Sequence, residues 1–141
     1  MKNTENELHR YFNIKFHFSM STPQSWASMI KESPSSETVV LFNADKNLVR
    51  IIVSKNENNK QFIGNLIASP FKTTILTDSG LRSEISIGMN KNDKKRIIAW
   101  FYTESGGITY HLVADMNTSF AIENKDVLIS IAKSFSLEKI S

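Results

Sequence analysis

The sequence predicts an α+β domain in which an antiparallel β-sheet of about six to eight strands is flanked by helices, one of them C-terminal. Apolar runs with a period of two or rich in β-branched residues recur along the 141 residues. An apolar ribbon over residues 95–116 folds back at Ser105-Gly106-Gly107, and apolar residues then recur at helical spacing. This length predicts one domain, which we place at residues 11–141, after a flexible N-terminus at residues 1–10.

The first elements follow from alternation and from proline. Within residues 12–18, four apolar side chains alternate with polar ones, which predicts one half-buried strand. Pro23 removes a backbone donor and predicts a turn, after which Trp26 is expected to plug one end of the core. Residues 27–32 are expected to form a further short strand.

The middle of the chain predicts two hairpins separated by a helix. Residues 38–42 and 48–53 are β-branched runs joined by a turn-rich linker. Residues 57–69 show helical spacing around Phe62, and Pro70 is expected to stop that helix. Residues 71–77 and 81–89 are predicted as strands.

The Gly106-Gly107 loop fixes the register of the last hairpin. The predicted cross-strand pairs are Thr103 with Tyr110, Tyr102 with His111, Phe101 with Leu112, and Trp100 with Val113. Alternation assigns to the core face Ile97, Ala99, Phe101, Tyr110, Leu112, Ala114 and Met116. The opposite side, called the second face below, holds Ile98, Trp100, Tyr102, Glu104, His111, Val113 and Asp115.

The second face has two interpretations. In the first, the C-terminal helix or the helix around Phe62 covers it, and its aromatic residues are core. In the second, it is a recognition patch, because apolar clusters rimmed by polar groups often mark contacts. The candidate binding residues are Trp100, Tyr102, His111 and Asp115.

The C-terminal helix is predicted from apolar residues on one stripe, with polar residues mostly elsewhere. The stripe consists of Phe120, Val127, Leu128, Ile131 and Phe135. Its N-cap is left open among Asn117, Thr118 and Ser119, each of which has a suitable side chain.

Several segments, taken in order, resemble the PsbP-like superfamily. They are a first strand running into Pro23-Gln24-Ser25-Trp26, the hairpin over residues 38–53, Gly107-Ile108-Thr109-Tyr110-His111-Leu112, and the closing Ile131-Ala132-Lys133-Ser134-Phe135. That superfamily includes the extrinsic protein PsbP of photosystem II, the Mog-type Ran-binding proteins and small exported bacterial domains. The same order is similar to a small domain that follows the catalytic domain of some exported zinc metallopeptidases. The resemblance implies a sheet flanked by helices that acts without a cofactor as an accessory or protein-binding module.

Composition excludes several classes of protein. The net charge is +3, from 17 basic and 14 acidic residues, which falls short of a dedicated nucleic-acid binder. No apolar run approaches the roughly 18 residues of a spanning helix, so no integral membrane segment is predicted. Cysteine is absent, which excludes disulfides. If a leader has been removed, we expect an extracytoplasmic location, which is what the resemblance implies for a bacterial member. Otherwise we expect a cytoplasmic location.

The sequence holds no His-Glu-x-x-His motif, phosphate-binding glycine loop or nucleophile elbow. The remaining candidate for chemistry is a weak metal set formed by His17, His111 and Asp115, whose side chains are suitable ligands only if the strands are neighbours. No cofactor is predicted.

Three hypotheses of function follow. The first is a non-enzymatic module that contacts an unknown protein partner through the aromatic and polar second face. The alternative is a carrier of a small apolar, lipid-like ligand in a pocket lined by Phe16, Phe101 and Tyr110. The third is metal-dependent hydrolysis at the weak metal set.

Overall fold

The structure, a computed structural model, describes residues 7–55 and 58–138, apart from the side chain of Asn58. The strands are β1 (Leu8–Asn13), β2 (Phe18–Pro23), β3 (Lys31–Glu32), β4 (Thr38–Ala44), β5 (Asn47–Ser54), β6 (Ile67–Leu76), β7 (Arg82–Asn90), β8 (Asp93–Ser105), β9 (Ile108–Asn117) and β10 (Ser136–Leu137). The helices are a 3-10 helix (Gln24–Met29), α1 (Asn58–Gly64) and α2 (Thr118–Ser134).

The strands form two antiparallel sheets. A seven-stranded sheet has the order β3-β4-β5-β9-β8-β7-β6, and a three-stranded sheet has the order β1-β2-β10. The predicted α+β class, with its antiparallel sheet and C-terminal helix, is confirmed.

The main core lies on one face of the seven-stranded sheet, where α2 contacts β2, β8 and β9. Phe18 of β2 brings the layers together, because its ring lies 5.6 Å from the rings of both Tyr110 and Phe135. Trp26 is buried, with its ring 4.8 Å from Phe42 and 6.4 Å from Phe120. Trp26 therefore closes one end of this core, as predicted.

The last hairpin has the predicted register. All four predicted pairs are observed between β8 and β9. The turn consists of Gly106 and Gly107, with φ of 59° and 79°, the left-handed conformation that a two-residue hairpin requires and glycine adopts without strain. The core-face residues of the hairpin accordingly pack in the main core.

The prediction of one strand over residues 12–18 is wrong, because a turn separates β1 from β2. The Asn13 side chain, which is buried, accepts a hydrogen bond from the Phe16 backbone N–H at 2.8 Å and closes that turn. His17 takes a φ of 54°, and Ile14 is 85% exposed. The predicted flexible segment overlaps β1, which begins at Leu8, and residues 1–6 lie outside the described residues.

The predicted helix over residues 57–69 is shorter in the structure. Glu57 lies outside the described residues, and α1 ends at Gly64. Pro70, expected to stop the helix, instead lies in a β-bulge of β6 between Ala68 and Phe71, a position where an edge strand tolerates a missing N–H. Of residues 27–32, expected to form one strand, residues 27–29 belong to the 3-10 helix and only residues 31–32 form a strand, β3.

Candidate binding groove on the second face

Helix α1 covers part of the second face. Ile63 is buried there against Ile98, Trp100, Tyr102 and Val113 in a cluster separate from the main core. The observed arrangement is thus the one in which the helix around Phe62 lies on this face. Trp100 and Tyr102 each keep 8% exposure, whereas His111 has none.

His111 belongs to a buried chain of hydrogen bonds. The Trp100 indole N–H donates to His111 Nδ1 at 3.0 Å. Because an indole only donates, Nδ1 must be unprotonated, which places the ring hydrogen on Nε2. Nε2 then donates to Thr109 Oγ1 at 3.1 Å, and that hydroxyl donates to the Ser54 carbonyl at 3.1 Å. The chain joins β8, β9 and β5 under α1.

The same surroundings hold His111 neutral. Burial, with a smaller contribution from the positive charge of Lys60 on α1, lowers the pKa of His111 from 6.5 to about 4. Protonation at Nδ1 would also set a ring N–H against the Trp100 N–H. His111 therefore acts as a structural acceptor in this fold.

Beside α1, the second face opens into a groove of about 370 Å³. Strands β6, β7 and β8 form its floor. We call it the α1 groove; its lining includes Lys60, Lys72, Glu84, Ser86, Trp100 and Tyr102. Trp100 and Tyr102 thus offer their accessible edges to this space.

Charged groups surround the aromatic wall of the α1 groove. Lys60 Nζ lies 4.7 Å from the centroid of the Tyr102 ring, within cation–π range. The Tyr102 hydroxyl donates to Glu104 Oε2 at 2.8 Å. Glu84 faces Tyr102 across the pair β7 and β8. A ligand in the groove would therefore meet aromatic edges and charges of both signs.

The structure does not bring the weak metal set together. His17 is exposed in the turn between β1 and β2, whose Phe16 carbonyl accepts a hydrogen bond from Tyr110 on the core face. His111 is buried on the opposite face. Asp115 pairs with Arg96 at 2.8 Å, four residues along β9 from His111 or roughly 13 Å. Within residues 7–55 and 58–138, no three His, Cys, Asp or Glu side chains are grouped to hold a metal ion.

The pocket proposed for an apolar ligand is filled by side chains. The void lined by Phe101 and Tyr110 measures only about 20 Å³, room for little more than one water molecule. Phe16 is buried in the main core. This conformation has no space for a lipid chain at that position.

A larger groove of about 680 Å³ lies between β1 and α2. Its Arg10 guanidinium donates to Ser19 Oγ at 2.7 Å, to Ser21 Oγ at 3.0 Å and to the Ser134 carbonyl at 2.9 Å. These bonds tie β1 and β2 to the end of α2. Because Arg10 has this structural role, we take the α1 groove as the candidate site, despite its smaller volume.

Sequence reasoning missed Lys60, Lys72, Glu84 and Ser86. Nothing in the local sequence distinguishes any of the four from ordinary surface residues. They meet because β7 and β6 extend the sheet beyond β8, and sheet order has no signature in local spacing.

Comparison with known proteins finds similarity at the level of structure only. No family model matches the sequence, and no curated protein matches it. The solution structure of cyanobacterial PsbP (CyanoP) from Synechocystis sp. PCC 6803 matches with a TM-score of 0.64, covering 92% of each chain at 12% identity. The chain has the PsbP-like fold.

A second solved structure is also similar to this chain. It is a crystal structure from Bacteroides thetaiotaomicron VPI-5482, which matches with a TM-score of 0.59 at 14% identity. The match covers 92% of the present chain and 48% of that protein, so the chain spans about half of its length. In the part of the chain that the structure describes, no helix has the length and apolar character needed to cross a bilayer.

Proposed function

We propose that this protein is a non-catalytic binding module that holds a segment of a protein partner in the α1 groove. The observation that carries the proposal is the open groove beside α1, walled by the edges of Trp100 and Tyr102 and surrounded by charged side chains. The accessory role implied by the PsbP-like resemblance supports it.

The chemistry of the groove suits a polypeptide. Tryptophan and tyrosine supply large contact areas at low conformational cost and are enriched at protein interfaces. Lys60 and Lys72 provide positive charge at the rim, and Glu84 provides negative charge beside them. Apolar contacts to the rings, together with charge pairs at the rim, would orient a bound segment.

The four candidate binding residues take different roles in this proposal. Trp100 and Tyr102 are contact residues, because they line the groove. His111 is a positioning residue, since it accepts the Trp100 N–H from beneath and has no exposed surface. Asp115 is not a contact residue, because it pairs with Arg96 away from the groove.

Site-specific photo-cross-linking in cells tests the groove. A benzoylphenylalanine in place of Lys60 sits on α1 above the groove, and the same group in place of Glu123 sits on an exposed part of α2. We expect a discrete covalent adduct with another protein from the Lys60 position only. Equal labelling from both positions, or no adduct from either, would contradict the proposal.

A substitution that fills the groove tests whether the cross-linked partner occupies it. Ser86→Arg places a long charged side chain into the α1 groove, whereas Ser119→Arg places the same side chain at an exposed position in the first turn of α2. In the cross-linking strain, Ser86→Arg should remove most of the adduct and Ser119→Arg should preserve it. Circular dichroism of both purified variants checks that the fold is retained. An adduct that survives Ser86→Arg in a folded protein would place the contact elsewhere.

A further inference from the structure

Strand β6 is an edge of the seven-stranded sheet, and within the described residues only β7 pairs with it. Its residues 71–74 are all exposed, and Phe71 keeps 67% of its surface accessible. An edge strand presents a row of backbone donors and acceptors that another strand can complete. This edge therefore has the backbone chemistry to accept a further strand.

We infer that two copies of this chain pair through β6 about a twofold axis centred on Thr73. A twofold axis perpendicular to the sheet makes the two β6 strands antiparallel and keeps like faces on the same side. In this register Thr73 faces its own copy, Phe71 faces Ile75, and Lys72 faces Thr74. The second copy thereby extends the floor of the α1 groove.

Charge selects this register on the second face. Thr74 pairs with Glu84 within one chain, so Lys72 of the second copy lies two strands from Glu84, with roughly 10 Å between Cα atoms. Extended lysine and glutamate side chains span that distance, and symmetry makes the pair twice. Lys72 thus reaches across the edge toward the α1 groove of the other copy.

The neighbouring registers place like charges together. An axis through Lys72 sets Lys72 against its own copy, which is unfavourable for directly opposed strand residues. An axis through Thr74 sets Lys72 against Leu76, whose neighbour on β7 is Arg82. Of these three registers, only the one centred on Thr73 brings Lys72 toward a carboxylate.

The opposite face of the sheet agrees with the same register. Phe71 pairs with Ile87 within the chain, and both are exposed there, at 67% and 37%. Pairing of Phe71 with Ile75 of the second copy covers this surface through an aromatic to β-branched contact, a favourable type of cross-strand pair. The ladder ends at Pro70, which has no N–H to donate.

The short ladder predicts a weak, concentration-dependent dimer, because it is smaller than a standard stable interface. Sedimentation of the purified full chain, without any partner, should show the mass rising above 16.0 kDa toward twice that value between about 10 µM and about 500 µM. A single 16.0 kDa species across this range would overturn the inference. It would leave the proposed partner binding untouched, because that is measured by cross-linking to another protein.

Charge exchange tests the register. Lys72→Glu and Glu84→Lys should each weaken dimerisation by about tenfold or more, because each sets like charges across the axis twice. The double variant reverses both charges and should return the dissociation constant to within about threefold of the parent. Lys94→Glu, an equal charge change at an exposed site outside the paired residues 71–75, should leave it unchanged. A dimer unaffected by either single variant, or not restored by the double variant, would rule out this interface.

Discussion

His111 is neutral in the folded protein because each of its ring nitrogens has a fixed hydrogen-bonding role. Nδ1 accepts from the Trp100 indole, and Nε2 donates to Thr109. In the unfolded chain neither constraint exists, so the imidazole titrates near its ordinary pKa of about 6.5. The folded state therefore binds this proton less readily than the unfolded state.

This difference predicts a loss of stability in mild acid. The pKa of His111 is lowered to about 4, so its contribution is complete above pH 6.5 and declines as the pH falls toward 4. The full effect is on the order of 3 kcal/mol, from the separation of the two pKa values. Urea unfolding of the parent between pH 7.5 and pH 4.5, at intervals of about half a unit, measures it.

The variant His111→Gln provides the control for that measurement. Glutamine keeps an amide oxygen that can accept the Trp100 N–H, but it does not titrate. The variant should be less stable than the parent at neutral pH, and the difference should shrink as the pH falls. If the difference stays constant across the range, His111 does not have a depressed pKa.

At the scale of elements, the bulge of β6 depends on Gly88 of β7. A Cβ at Gly88 would lie 2.7 Å from the Ala68 carbonyl oxygen and 2.7 Å from Ile67 Cγ2. Gly88→Ala should therefore force the two strands apart and cost about 1–3 kcal/mol. Thermal unfolding measures the loss.

Gly64→Ala is the matched glycine variant. A Cβ there meets Trp100 Cζ3 at 3.7 Å, an ordinary van der Waals contact. Alanine also favours the last turn of α1, so we expect a neutral or stabilising effect of up to about 1 kcal/mol. Equal destabilisation by both variants would show that the close approach at Gly88 is not the cause.

The N-cap of α2 gives a second prediction at this scale. Asn117 Oδ1 accepts a hydrogen bond from the Phe120 backbone N–H at 2.8 Å, which resolves the three candidates in the sequence. Asn117→Ala should cost about 1 kcal/mol. Ser119→Ala, at an exposed position inside the helix, should have little effect on urea unfolding. If Ser119→Ala cost more stability than Asn117→Ala, Ser119 would be the N-cap instead.

Two errors of prediction at this scale have local physical causes. Alternation over residues 12–18 is compatible with one strand, but the Asn13 carboxamide bonds the Phe16 N–H and turns the chain. A side chain that hydrogen-bonds nearby backbone competes with the strand ladder, and a pattern of apolar residues does not record it. Proline is likewise compatible with the end of a helix and with a bulge in an edge strand. For Pro70, the position of β6 at the edge of the sheet determines that it lies in a bulge.

At the scale of the molecule, the register of one hairpin was enough to predict two faces. The pairs set by Gly106 and Gly107 place Phe101 and Leu112 in the main core and Trp100 on the second face. The α1 groove was beyond sequence reasoning, because it forms where α1, β6 and β7 meet β8. That meeting depends on a sheet order in which β9 and β8 lie between β5 and β7.

Truncation of a buried side chain should therefore have different consequences on the two faces of the sheet. Ile63 anchors α1 on the second face, in a small cluster, whereas Ile131 anchors α2 in the main core. Each isoleucine is 1% exposed, so truncation to alanine removes similar buried surface, at a cost of about 2–5 kcal/mol. The consequences differ because local opening of α1 leaves the main core intact.

Fluorine NMR with 5-fluorotryptophan reports on both faces at once, since the chain has two tryptophans. Trp26 lies in the main core and Trp100 under α1. Ile63→Ala should shift or broaden the Trp100 signal and leave the Trp26 signal in place, because α1 opens over Trp100 alone. Ile131→Ala should lower the midpoint of global unfolding, at which both signals change together. If Ile63→Ala moved both signals equally, the second face would not be an independent unit, and an opening of the α1 groove separate from the core would be excluded.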